Sequence, residues 1–127
     1  MLPAGHDRGV ATLALRQHVP MTPPPAVLAG LPVLHADTWL LAVHKPAGLL
    51  VHRTALDAHA DTDLLTRLQA QLAAPLWPVH RLDKGTSGVL LLARDVDSAR
   101  SLGAAFAAGR VDKHYLALVR GWPAAAG

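Results

Sequence analysis

The sequence predicts an α+β fold, a mixed and mainly antiparallel sheet with flanking helices. Three observations carry that expectation. Short apolar runs are bounded by turn residues, two stretches place apolar residues at helical spacing, and the two kinds of segment interleave along the chain. A length of 127 residues fits one domain with one core.

Residues 1–30 have no sustained period and carry Pro23-Pro24-Pro25 after Pro20, with Gly30 and Pro32 close by, so they read as a flexible Pro-rich leader. The folded unit is expected over 31–127. Val33-Leu34-His35, the turn Ala36-Asp37-Thr38 and the run Trp39-Leu40-Leu41-Ala42-Val43, closed by Lys45-Pro46-Ala47-Gly48, predict two short strands. Leu49-Leu50-Val51 adds a brief extended piece. Asp61-Thr62-Asp63 then offers N-cap chemistry to a helix with Leu64, Leu65, Leu68 and Leu72 on one face, stopped by Pro75. Val89 to Ala93 is apolar without alternation and reads as a strand buried on both faces. Asp95 or Asp97 caps a second helix that turns Val96, Ala99, Leu102 or Gly103, and Phe106 inward, with Gly109 at C′. Lys113 to Val119 predicts a last strand, which leaves at least one sheet edge open.

Composition narrows the function classes. There is no cysteine, so disulfides, thiolate zinc sites and cysteine nucleophiles are excluded, and a reducing, cytoplasmic setting is the expectation. All nine acids are aspartate, and nine arginines and three lysines give a net charge of +3 with eight histidines besides. That balance favours a polyanionic partner. No apolar run approaches the roughly 18 residues of a membrane span, and the N-terminus lacks the pattern of a signal peptide.

The densest polar cluster is His80-Arg81-Leu82-Asp83-Lys84-Gly85-Thr86-Ser87-Gly88, immediately before the most apolar strand. A loop at the end of a rigid strand can fix a side chain while leaving its head open to a ligand. If residues 79–83 are extended, Arg81 and Asp83 share one side and His80 and Leu82 the other. The cation then favours the ionised form of Asp83, as a nucleophile or base requires. Gly85 and Gly88 permit unusual backbone angles, and the Thr86 and Ser87 hydroxyls can tie loop amides. The same residues also suit a plain turn with a surface cation, and the residues alone leave both readings open. Ser87 lacks a nucleophile elbow, the glycines match no phosphate-binding fingerprint, and His44, His52, His80 and His114 fit no standard metal spacing.

His80-Arg81-Leu82-Asp83, then Thr86-Ser87-Gly88, then Ala93 resembles the signature H-R-L-D-x-x-T-S-G-x-x-x-x-A of the RluA-type pseudouridine synthases at every fixed position. Val43-His44-Lys45-Pro46-Ala47-Gly48 resembles the family's N-K-P-x-G segment, with histidine in place of asparagine. Lys113-His114-Tyr115-Leu116-Ala117-Leu118-Val119-Arg120-Gly121 resembles its K-x-Y-x-A-x-V-x-G strand. Leu50-Val51-His52-Arg53, Leu56-Asp57 and Arg120-Gly121-Trp122 resemble the branch that includes tRNA pseudouridine synthase C. The likeness covers about residues 33–123.

The resemblance implies an isomerase that converts uridine to pseudouridine in structured RNA, with tRNA favoured and rRNA the alternative. Asp83 is then the catalytic aspartate, Tyr115 stacks on the uracil, and Arg81 helps fill the gap left by the flipped nucleotide. His80, Thr86, Ser87 and Gly88 support the loop, and Lys45, Arg53, Lys84 and Lys113 are candidates for phosphate contacts. The resemblance implies no metal or organic cofactor, and a monomer with RNA as its partner is expected. It also implies that the chain is the N-terminal part of the family's catalytic domain, apparently truncated. Two alternatives follow: a truncated RNA-binding fragment without activity, and, more weakly, a protein-interaction module on an open sheet edge.

Overall fold

The computed structural model describes residues 25–57 and 62–124. Its sheet has five strands in the order β1-β2-β3-β5-β4. They are β1 (Val27–Leu28), β2 (Leu31–Ala36), β3 (Leu40–Lys45), β4 (Trp77–Pro78) and β5 (Gly88–Ala93). Every described pairing is antiparallel. The helices are α1 (Leu64–Leu72) and α2 (Val96–Ala107), so the architecture is the α+β arrangement expected.

The longest ladder joins β3 to β5, from Leu40 opposite Ala93 to Lys45 opposite Gly88. Both strands are rich in leucine and valine, and one face of each enters the core: Leu41 and Val43 from β3, Leu90 and Leu92 from β5. Leu64 and Leu68 of α1 close that core, each fully buried. The second face of β5 departs from expectation. Val89 is 54% exposed there and Leu91 half-buried, because only α2 lies near that side.

The cap of α1 is Asp63, whose carboxylate accepts from the Thr66 amide at 2.7 Å. Two further first-turn amides are taken by the preceding segment, since Leu64 N donates to Leu50 O and Leu65 N to Val51 O. The extended piece expected at 49–51 therefore serves the helix terminus and joins no sheet. Asp95 caps α2 through the Ser98 amide and hydroxyl. That start sets Val96 outward, 46% exposed, and buries Ser98 in its place. The helix ends in a Schellman motif: Gly109 at φ +66° donates to Phe106 O and Arg110 to Ala105 O.

Two local expectations are corrected, and one short strand is added to them. Residues 27–30, assigned to the leader, form a tight hairpin with β2 that buries Leu28, so the boundary at 31 cuts a structural unit. Strand β4 is a two-residue edge, with Pro78 tolerated because it lies at the margin of the sheet. Residues 113–119 form no strand. A period-two pattern supplies propensity, but a strand exists only where another strand takes its amides and carbonyls, and none of the described residues does so.

Candidate active-site loop

The loop begins where β4 stops. Val79 N still donates to Leu91 O, at 3.4 Å, but the next contact is made by a side chain: His80 Nε2 accepts the Leu91 amide at 3.0 Å. The imidazole thus stands where the backbone carbonyl of a longer strand would, and the main chain is free to turn away. Its ring stacks on Phe106 with centroids 4.8 Å apart and planes 11° apart. Burial, and secondarily the charge of Lys113, pull the His80 pKa below 6.5, which agrees with an Nε2 that must stay unprotonated to accept.

From this anchor the side chains alternate. Leu82 is 7% exposed and joins the core, whereas Arg81 and Asp83 face solvent together, as the extended reading of this segment requires. A tight turn follows, closed by Thr86 N on Asp83 O at 3.0 Å, and Gly88 enters β5 at φ +144°, a region open to glycine. Ser87 and Lys84 are exposed.

Lys45 holds this loop in place. It is fully buried, and its ammonium donates to Pro46 O at 2.9 Å, Leu49 O at 2.6 Å and Lys84 O at 3.2 Å. Lys84 O also accepts from Gly48 N at 2.7 Å. All three ammonium protons are therefore committed, and the expected role of Lys45 as a phosphate contact is corrected: it is a clamp between the 46–49 turn and the loop of Asp83. Desolvation pulls its pKa down, and the negative charge of Asp83 works against that shift. The buried cation thus lies within electrostatic reach of the exposed carboxylate.

Arg53 is turned toward the start of α1. Its amide donates to Asp63 Oδ2 at 3.2 Å, and its Nε lies 3.5 Å from the same oxygen. The adjoining turn, Ala55–Asp57, is closed by Thr54, which donates its hydroxyl to Asp57 Oδ2 at 2.7 Å. The Thr54 hydrogen bonds, followed by the charges of Lys84 and Arg81, hold the Asp57 carboxyl below the usual carboxylate range. Asp57 is thus a neighbour of the basic loop that sequence reasoning left without a role. Its only signal there was its place in the Leu56-Asp57 resemblance.

Tyr115 is 60% exposed and lines a cavity of about 700 Å³ together with His80, Gly85, Gly88 and Phe106. Lys113 stands over the Phe106 ring, 5.9 Å from its centroid. Arg81 and Asp83 lie outside this cavity lining, so the structure joins Tyr115 to the glycine end of the loop and not to the carboxylate itself. Among the described residues no cluster of three or more histidines and acids could hold a metal ion, and no helix is long and apolar enough to cross a membrane.

The family model described as RNA pseudouridylate synthase matches residues 39–127, and the chain belongs to that family. It is 46% identical over 92 residues to the tRNA pseudouridine synthase C of Pasteurella multocida (strain Pm70), covering 72% of this chain and 38% of that protein. The corresponding protein of Haemophilus ducreyi (strain 35000HP / ATCC 700724) is 43% identical over 97 residues, 76% of this chain and 40% of its own length. Among solved structures, Human RNA Pseudouridylate Synthase Domain Containing 4 matches at 38% identity with a TM-score of 0.46, covering 61% of this chain and 30% of the human one. The chain spans well under half the length of the curated relatives it matches.

Proposed function

We propose that this chain carries the catalytic loop of an RNA pseudouridine synthase acting on a uridine of tRNA, with Asp83 as its catalytic residue. The observation that carries the reading is the posture of Asp83: exposed, paired in direction with Arg81, and mounted on a loop fixed from beneath by the buried Lys45. An exposed carboxylate preorganised in this way suits attack on the nucleoside or removal of a sugar proton, after which the uracil is freed, turned and rejoined through carbon. Arg81 would occupy the space vacated by the flipped nucleotide, and Tyr115 would receive the base. Lys84 and Lys113, both exposed, would take backbone phosphates, and half-exposed Arg53 would reach one while still paired to Asp63.

The test is release of tritium from tRNA carrying uridine labelled at carbon 5, which only formation of the new carbon bond liberates. Release by the chain supports the reading, and loss of that release in Asp83→Asn assigns the chemistry to this carboxylate. A second reading rests on the net charge of +3 and the exposed Lys84 and Lys113 alone. It is an RNA-binding unit without chemistry, marked by tRNA binding with no tritium release.

A further inference from the structure

The register of β4 on β5, Trp77 opposite Ala93 and Pro78 opposite Leu92, makes Val79 the next partner of Leu91. A regular antiparallel rung at that point exchanges two bonds, Val79 N to Leu91 O and Leu91 N to Val79 O. The first is present at 3.4 Å; in place of the second, Leu91 N donates to His80 Nε2 at 3.0 Å. An imidazole can fill this place only while it is neutral, with its proton on Nδ1. Protonated at both nitrogens, it would turn a donor toward a donor and leave the Leu91 amide without its acceptor.

The ring is held from the side by Phe106, near the end of α2, which stacks on it. Phe106 therefore bears on the loop of Asp83 from a different element, and its ring shields the imidazole from water. The ionisable groups that share the cavity of His80 are Asp112, Lys113, His114 and Tyr115, all from one segment, while β5 and α2 bring none to that lining. Of these, Lys113 opposes a second positive charge on the imidazole. We propose that Phe106 and His80 are a positioning pair for Asp83: the neutral, stacked imidazole completes the last rung between β4 and β5 and so sets where the loop leaves the sheet, and its protonation releases that exit. The consequence for chemistry rests on the reading of Asp83 above. The release itself is a property of the free chain.

Amide exchange and imidazole nitrogen NMR on the full chain, between about pH 5 and 8, test it. Expressed as protection factors, which remove the intrinsic pH dependence of exchange, the Leu91 and Thr86 amides should lose about tenfold on acidification, the worth of one hydrogen bond. The midpoint should match the titration of His80, and the β3–β5 ladder should stay protected throughout. His80→Gln, which keeps an acceptor, should hold Leu91 protected at every pH, and His80→Ala should leave it unprotected at every pH. Phe106→Leu should keep the bond at the alkaline end and move the imidazole midpoint upward, because the shielding ring is gone. Protection of Leu91 that ignores the His80 titration, or an unmoved midpoint in Phe106→Leu, would overturn the inference. In tritium release from tRNA, kcat should fall through the same midpoint, and His80→Gln should remove that acid limb. An acid limb unchanged in His80→Gln would overturn the positioning role. No release at any pH would overturn the catalytic reading of Asp83 and the consequence drawn from it, while the exchange data still decide the release of the loop.

Discussion

The loops at 45–57 and 79–88 and the stretch from Arg110 to Trp122 are all irregular backbone, yet they differ in how their polar groups are met. In the loops, carbonyls at 46, 49 and 84 meet one buried ammonium, the amides of α1 meet carbonyls at 50 and 51, and Leu82 plugs the core. In the later stretch, Leu116 and Leu118 are fully exposed and Lys113 stands over the face of Phe106. Irregular backbone becomes a fixed platform when buried donors close it, and stays a presentation surface when they do not.

The largest effect that should break this contrast is Lys45→Met. Similar volume is kept, but the carbonyls of Pro46, Leu49 and Lys84 lose the buried ammonium, with Lys84 O keeping only Gly48 N, and the expected cost is about 3 kcal/mol in urea denaturation. The loop of Asp83 should become exchange-labile in the same variant. Next is the pair Leu90→Ala and Leu118→Ala. The first deletes a fully buried side chain between two strands and should cost about 3 kcal/mol, the second an exposed one and should stay within about 0.5 kcal/mol. Equal costs for the two would mean that residues 113–119 pack in solution after all.

The smallest effect concerns His80. Its folded pKa lies below the unfolded 6.5, so the unfolded chain binds the proton first and stability should fall as pH drops below about 6.5. His80→Gln keeps an acceptor for the Leu91 amide and should flatten that part of the profile. The carboxyls of Asp37, Asp63 and Asp95 are held below 3.8, so their stabilisation is lost only at more acidic pH. For Asp37 and Asp63 burial opposes ionisation, and the hydrogen bonds they accept outweigh it. For Asp95 the Ser98 hydrogen bonds lead.

This contrast was only half legible in the sequence. Strands β3 and β5 and both helices follow from apolar runs and aspartate caps, which are local signals. Strands β1 and β4 are two residues each and too short to show a period, so Leu28 went unseen as core. Asp83 and Arg81 could be placed on one side of the chain because alternation is a backbone property. The burial of Lys45 could not be foreseen, since its third partner lies 39 residues away and lysine ordinarily faces water. The strand expected at 113–119 failed for the opposite reason: the pattern was present and the pairing partner was not among the described residues.

The central claim is that the clamped loop presents Asp83 for chemistry on uridine. Tritium release from carbon-5-labelled tRNA, measured for the wild type and Asp83→Asn side by side at equal RNA occupancy, tests it most directly. Release by the wild type and none by Asp83→Asn is the predicted result. Equal release by both, or tight binding by the wild type with no release, would contradict it.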